Sequence, residues 1–446
     1  MIIAGDTIAA IATPPGNGGV GVIRISGPGV INIAASLSAK KLKPRYATYS
    51  SFLDADGGNI DSGLLLYFQA PASFTGEDVL ELHGHGGRVV LDMLLRRVLA
   101  LGARPAAPGE FSQRAYLNNK LDLAQAEAIA DLITSSTEQA VRSAQQSMQG
   151  VFSAQINELV DELIELRVYI EAAIDFVEEE IDFLHDGVVA EKIRQLQHKV
   201  REIHATARQG RLLHDGISVV LAGKPNAGKS SLLNALAGHE AAIVTEVAGT
   251  TRDVLRERIQ LDGMPIHIID TAGLRDSENI VEQEGIRRAR QEIRKADKVL
   301  LLLDITKPED DSLLESLPPD INVTRIYNKI DLTGQSSAML ETAQGVEIFL
   351  SVKSKVGLDL LKQHLKQAAG FTESADSVFV ARRRHLQALS QAEEALQSAS
   401  AQLESHAPEL VAEDLRQAQN RLASITGEFS SDDLLGEIFG SFCIGK

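Results

Sequence analysis

Residues Gly223, Lys224, Pro225, Asn226, Ala227, Gly228, Lys229, Ser230 and Ser231 run consecutively and fit G-x-x-x-x-G-K-[ST]. A loop of this kind aims backbone N–H groups and a helix N-terminus at phosphate. The Lys229 ammonium would reach the β- and γ-phosphates, and the Ser230 hydroxyl would bind Mg2+. The flanks are those the chemistry needs. Residues 217–222 form an apolar run that reads as a strand, and Leu232, Leu233, Ala235 and Leu236 follow at helical spacing.

Four further segments follow in chain order. In Ala248, Gly249, Thr250, Thr251, Arg252 and Asp253, a threonine, with Thr251 preferred, would complete the Mg2+ shell beside a γ-phosphate. The strand pattern 266–269 ends in Asp270, Thr271, Ala272 and Gly273. There Asp270 would hold Mg2+ through water and the Gly273 N–H would meet the γ-phosphate. Asn328, Lys329, Ile330 and Asp331 follow the run 323–327. The Asp331 carboxylate can accept from guanine N1–H and the 2-amino group, donors that adenine lacks. Ser351, Val352 and Lys353 end another strand pattern and suit guanine O6. Such loops at strand carboxyl ends describe the ligand crevice of a parallel α/β sheet that takes GTP. Leu274 stands where Ras-type switches use a glutamine, so water must be oriented by another group, with Glu282 and Glu284 as candidates. Transition-state charge also needs a partner. Asn226 could hold a monovalent cation or simply donate a hydrogen bond, and Arg252 and Arg275 are rival charges.

These loops need a scaffold, and 446 residues suffice for two to four domains. Residues 1–118 read as an α+β domain. Strand patterns lie around Val20, Val22, Ile23 and Ile25, at 64–68 and at 79–82, and a helix pattern covers 89–101. His83 and His85 flank Gly84; a turn beside a strand is preferred to a metal site. Residues 119–215 read as helical. Leu123, Ala126, Ala130 and Ile133 begin the pattern. Leu159, Leu163, Leu166, Ile170, Ile174 and Val177 form one stripe, and Val189, Ile193, Leu196, Val200, Ile203 and Ala207 form the next. Helical stripes return within 372–446, at Leu389, Ala392, Leu396, Ala399 and Leu403, and at Val411, Leu415, Ala418, Leu422 and Ile425. The α/β segment 216–371 therefore reads as an insertion in a helical bundle.

The net charge of −17 argues against a broad grip on nucleic acid by the chain itself, so a local basic patch or a basic partner must supply one. One cysteine forbids an intrachain disulfide and suits a reducing compartment. The N-terminus lacks a basic signal region and no apolar run is long enough to span a bilayer, so a cytoplasmic protein is expected. That cysteine, Cys443, lies in the ending Phe442, Cys443, Ile444, Gly445 and Lys446. The apolar residues point to a docked tail rather than a frayed one, and a thiol near Lys446 could act as a nucleophile.

Several motifs together resemble the MnmE (TrmE) family of tRNA modification GTPases over essentially the whole chain. They are Thr13, Pro14, Pro15 and Gly16 through Arg24, Ile25, Ser26 and Gly27; Ser73, Phe74, Thr75, Gly76, Glu77 and Asp78; and Pro108, Gly109, Glu110 and Phe111. To these add Asn119, Lys120, Leu121, Asp122 and Leu123, the GTPase segments and the C-terminal pentapeptide. The resemblance implies a folate-binding N-terminal domain that forms a homodimer, a helical domain, and a G domain inserted into it. It implies a flavoprotein partner of the MnmG type, carrying FAD, in a heterotetramer. The pair would add an aminomethyl-type group at C5 of the wobble uridine in certain tRNAs, with 5,10-methylene-tetrahydrofolate as carbon donor.

By resemblance, Arg24, Glu81, Lys120 and Lys446 bind a 5-formyl- or 5,10-methylene-tetrahydrofolate. GTP contacts fall on Asn226, Ala227, Gly228, Lys229, Ser230 and Ser231; on Thr245, Glu246, Val247, Ala248, Gly249, Thr250 and Thr251; on Asp270, Thr271, Ala272 and Gly273; and on Asn328, Lys329, Asp331, Ser351, Val352 and Lys353. Mg2+ falls on Ser230 and Thr251, and K+ on Asn226, Thr245, Val247 and Thr250. Glu282 matches the water-orienting residue and Lys229 the phosphate-binding catalytic lysine. Cys443 matches the family's terminal cysteine, its chemistry open. Two other classes compete: an Era-like ribosome-assembly switch, disfavoured by the acidic chain without a basic C-terminal RNA domain, and a stand-alone folate enzyme that the G domain only regulates.

Overall fold

The computed structural model describes residues 5–175, 187–237, 256–270, 296–307, 322–343, 345–371, 379–428 and 432–445. The chain divides into two compact units. One comprises Met1–Ala130, Met148–Leu196 and Glu394–Lys446; the other comprises Asp131–Ser147 and Gln197–Glu393.

The first unit is built on β1 (Ile8–Ile11), β2 (Gly18–Ser26), α1 (Val30–Leu37), β3 (Thr48–Leu53), β4 (Asn59–Phe68), β5 (Val79–Gly86), α2 (Arg88–Ala100) and β6 (Arg104–Pro105). The sheet runs β3-β4-β5-β2-β1-β6. Neighbours are antiparallel except β1 and β6. Alternation along each strand separates two faces. Ala9, Ile23, Ile25, Leu80 and Leu82 enter the main core with Val30, Leu37, Leu91 and Leu94 of the helices. The opposite face carries Ile8 and Ala10, packed with Ala106, Phe111 and Phe74. His83 and His85 lie inside β5 and not in a turn. Gly84 is paired with Gly21 in the ladder, so the expected turn is replaced by a continuous strand.

Next come α3 (Glu110–Leu117), α4 (Leu123–Thr134), α5 (Glu138–Met148), α6 (Val151–Asp175) and α7 (Val188–Asp215). Leu159, Leu163, Leu166 and Ile170 are buried as one stripe of α6; Val177 lies outside the described residues.

The second unit contains a seven-stranded sheet of β7 (Ile217–Gly223), β8 (Arg256–Leu261), β9 (Met264–Asp270), β10 (Lys298–Asp304), β11 (Val323–Asn328), β12 (Ala338–Thr342) and β13 (Gly345–Leu350), ordered β12-β13-β11-β10-β7-β9-β8. The five central strands are parallel and the two edge strands antiparallel. Helices α8 (Lys229–Ala237) and α9 (Leu358–Ala369) cover one face, burying Leu232, Leu361 and Leu365 against Val219, Leu300, Ile326 and Ile348. The chain ends in α10 (Arg383–Glu404), α11 (Pro408–Thr426) and α12 (Asp432–Gly440). Helix α11 packs along α6, and Arg167 donates to Gln419 Oε1 at 2.6 Å. Arg201 of α7 likewise pairs with Glu393 of α10 at 2.8 Å. Helices from both sides of the α/β segment thus pack together within each unit.

Candidate functional site

The carboxyl ends of the parallel strands gather the phosphate and guanine loops. Register pairs Gly223 of β7 with Leu302 of β10, and Asn328 of β11 with both Asp304 of β10 and Leu350 of β13. Three loops therefore start from one level. Gly228 has φ +108, and a Cβ there would lie 2.5 Å from Asn328 Nδ2, so the turn tolerates only glycine. The side chain of Asn328, nearly fully buried, ties two loops together. Its Nδ2 donates to Ala227 O at 2.8 Å, and its Oδ1 accepts from Val352 N at 3.0 Å. Ser351 donates to Asp331 Oδ1 at 2.6 Å, setting the carboxylate at the guanine side. Lys229 Nζ donates to Gly223 O at 2.7 Å, across the loop it would share with phosphate.

Asp304 was not singled out by its sequence, yet it organises this edge. Lys329 Nζ approaches its Oδ2 at 2.6 Å, and Thr306 donates to its Oδ1 through N and Oγ1. The Lys329 ammonium holds the carboxyl down at about 2, so Asp304 is a carboxylate at any working pH. The signal was an acid at the end of an apolar strand with a threonine two residues on, too common a pattern to stand out.

Asn226, Ala227, Gly228, Asn328, Lys329, Asp331, Ser351, Val352 and Lys353 thus lie at one end of the sheet, Asn328 closing β11 and the others on the connections, and Lys229, Ser230 and Ser231 open α8 beside them. The backbone of Asp270 ends β9 beside β7. Thr245, Glu246, Val247, Ala248, Gly249, Thr250, Thr251, Arg252, Thr271, Ala272, Gly273, Leu274, Arg275, Glu282, Glu284 and Lys446 lie outside the described residues. The donor set fits a purine nucleotide. An acceptor carboxylate faces the base side, while a glycine turn, an ammonium and the start of α8 face the phosphate side.

In the first unit, Arg24 and Glu81 are cross-strand partners on the face away from the main core. Arg24 Nε donates to Glu81 Oε1 at 2.9 Å, and His83 Nε2 lies 3.1 Å from Glu81 Oε2. The Arg24 guanidinium also sits 5.7 Å from the Phe74 ring centroid and 5.8 Å from that of Phe111. A largely buried cation, an acid and two rings make a wall suited to a flat heterocycle with N–H edges. Lys120 Nζ donates to Pro71 O at 3.1 Å on the loop leading to Phe74. That loop is fixed from below: Thr75 meets Ser26 Oγ at 2.7 Å, and Glu77 accepts from Ser26 and Arg114. The buried Glu110 accepts from Arg104, Arg114 and Ala107 N. Burial works to raise its carboxyl, but Arg104, the Ala107 N–H and Arg114 hold it below the ordinary range. This network seats the start of α3, and with it Phe111.

The C-terminal tail is docked. Phe439 and Phe442 are buried with Leu123, Ala126, Leu435 and Ile438. Gly109 N donates to Cys443 O at 3.3 Å. Gly445 has φ +98 and lies against β1, where a Cβ would come 2.6 Å from Ile11 O. The Cys443 side chain remains exposed. Among the described residues no group of three or more His, Cys, Asp or Glu could hold a metal.

A parallel α/β sheet with a phosphate loop, a guanine-side carboxylate and a helical surround defines a multidomain P-loop GTPase. The chain belongs to the MnmE family of tRNA modification GTPases. The family description "GTP-binding protein TrmE N-terminus" matches residues 7–120, and "MnmE helical domain" matches residues 123–443. A tRNA modification GTPase MnmE from Hydrogenovibrio crunogenus is 57% identical over 445 residues, 99% of each chain. One from Pseudomonas aeruginosa is 58% identical over 455 residues, the whole of both chains. These full-length relatives carry the MnmE name and not that of the Era-type alternative. Among solved structures, a variant Era from Aquifex aeolicus with GDP and aluminium fluoride is 26% identical. It covers 40% of this chain and 66% of its own, with a TM-score of 0.27, too low to weigh. No described helix is long and apolar enough to cross a membrane.

Proposed function

We propose that the chain is a K+-stimulated, Mg2+-dependent GTPase that works with an MnmG-like flavoprotein. Together they add an aminomethyl or carboxymethylaminomethyl group at C5 of the wobble uridine of certain tRNAs. The observation that carries the GTPase part is the buried Asn328 bridge between the phosphate and guanine loops. It lets a bound nucleotide be gripped at both ends by one rigid crevice. Asp331 selects guanine, Lys229 offsets phosphate charge, and Ser230 with Thr251 hold Mg2+. Asn226, exposed with φ +65 at the loop crest, offers its side-chain oxygen to a K+ that Thr245, Val247 and Thr250 complete. Glu282 orients the attacking water.

The tRNA part is carried by the full-length likeness to relatives named for tRNA modification. Arg24, Glu81, Lys120 and Lys446 are assigned to a tetrahydrofolate carbon donor, with the docked tail bringing Cys443 to the same domain. FAD belongs to the partner. GTP would pair the G domains of a homodimer formed through residues 1–118, and hydrolysis would release them. GTP turnover in KCl and in NaCl at equal ionic strength tests the cation. Turnover should be much faster in KCl, and Asn226→Ala should abolish the difference. Equal rates for the wild type in both salts would remove K+ from the mechanism and return Arg252 or Arg275 to that role. Modification of tRNA that survives omission of the flavoprotein would favour a stand-alone folate enzyme.

A further inference from the structure

The chain is strongly acidic, yet no Asp or Glu occurs between Asp6 and Asp54, a stretch that holds Arg24, Lys40, Lys41, Lys43 and Arg45. The last four fall within a few residues on the connection from α1 to β3, and all four are exposed. None of them is paired with a carboxylate among the described residues. The backbone beneath them is nonetheless pinned. Pro44 bridges to Tyr67, Arg45 N donates to Tyr67 O at 2.8 Å, and the Arg45 guanidinium donates to Ala72 O at 2.8 Å. Two aromatic rings stand among the cations, Tyr46 at 59% and Tyr49 at 68% exposure, and Lys43 Nζ lies 5.6 Å from the Tyr46 centroid. Unpaired cations on a fixed loop, interleaved with bare rings, are what a single-stranded or looped RNA needs: phosphate contacts plus stacking platforms.

Register ties this patch to the candidate one-carbon site. Tyr49 is opposite Leu64, Leu64 opposite His83, and Glu81 opposite Arg24. Cross-strand partners share a face, and Glu81 and His83 are two apart on one strand. Tyr49 therefore stands on the same open sheet face as the Arg24–Glu81 pair, at its β3 edge. Lys120 reaches the Pro71 carbonyl, next to the Ala72 carbonyl that receives Arg45.

We propose that Lys40, Lys41, Lys43 and Arg45, with Tyr46 and Tyr49, form a tRNA-binding surface on the rim of the Arg24–Glu81 face. The cations engage backbone phosphates of the anticodon arm, and the rings stack on its unpaired bases. This rests on the tRNA reading above and adds where the tRNA lies: a wobble base must reach the face that holds the carbon donor.

The test is fluorescence anisotropy of the full chain, alone and with its flavoprotein partner, against a fluorescein-labelled tRNA transcript across a KCl series. The variant is the triple Lys40→Ala, Lys41→Ala, Lys43→Ala, which leaves the Arg45 hydrogen bonds intact. Its affinity should fall about ten- to a hundredfold at physiological salt, with a log K against log salt slope shallower by roughly two to three. GTP turnover and 5-formyl-tetrahydrofolate binding should be unchanged. Tyr49→Phe should bind as the wild type does, and Tyr49→Ser should lose affinity at every salt with an unaltered slope. Unchanged tRNA affinity in the triple variant would overturn the proposal. If only folate affinity, flavoprotein association or oligomeric state changed, the surface would belong to that occupant instead. A wild type that binds no tRNA under either condition would sink the tRNA reading itself, whereas a wild type that binds and a variant that binds equally would sink only this surface.

Discussion

Asn328 does at the residue scale what no single loop could do. Its amide is buried and spends both ends on backbone, one on the phosphate loop and one on the guanine loop. Removing it leaves Ala227 O and Val352 N unsatisfied, at a cost of about 1–3 kcal/mol where no water replaces them. Part of that loss should appear in binding, because both loops relax before nucleotide arrives. Asn328→Ala should weaken a fluorescent GDP analogue about tenfold or more, through faster dissociation. An equal affinity measured by stopped flow would mean that nucleotide alone orders the crevice. The neighbouring Asp304 differs in kind: it holds Lys329, so Asp304→Asn should act through that lysine and be silent in a Lys329→Ala background.

Elements decide how much of this was readable beforehand. The stripes of α6 and α7 were legible because a long helix against a partner buries every third or fourth residue. Strand β6 is two residues, Arg104 and Pro105, and exists only because β1 pairs with it. Helix α1 has no side-chain cap at Gly29, so its start left no mark. Glu110 and Arg114 are charged yet buried, and a sequence gives such residues to the surface unless their partners are known. In the crevice, motif spacing picked out residues that the fold brings to one end of the sheet, and it missed Asp304, whose place is set by β10 lying beside β11.

Two histidines at element junctions carry a pH prediction. His364 of α9 is buried against Thr324 Oγ1 at 2.9 Å, and burial, helped by Lys298, lowers its pKa to about 4. It folds neutral, so its contribution is intact above about 6.5 and is lost as pH falls toward 4. His214, at the end of α7, lies 3.1 Å from Asp131 and 2.7 Å from Asp215; Arg382 also contacts Asp131, and Arg211 contacts Asp215. Burial alone would lower it, but the two carboxylates raise its pKa to about 9. That contribution is present below about 6.5 and is lost as pH rises through 9. Thermal melts should therefore show His364→Gln shallowing the acid limb and His214→Gln the alkaline limb. A variant that shifts both limbs equally would be acting through packing instead.

At the scale of the whole molecule, the division into two compact units has a thermodynamic consequence. The nucleotide loops described above all belong to the unit Asp131–Ser147 plus Gln197–Glu393, and the Arg24–Glu81 face with the docked tail belongs to the other. A ligand stabilises only what it binds, by RT ln(1 + [L]/Kd), about 2.7 kcal/mol at a hundredfold excess over Kd. A chain of this size with two cores need not melt in one step. Scanning calorimetry of the full chain should resolve two transitions, with Mg2+ and GDP raising one and 5-formyl-tetrahydrofolate raising the other. Gly445→Ala offers an internal control. Its Cβ would collide with Ile11 O, so it should lower the folate-linked transition and leave the GDP-linked one in place. If GDP raised both transitions together, the two units would be one cooperative body. The nucleotide state would then be felt at the Arg24–Glu81 face through stability.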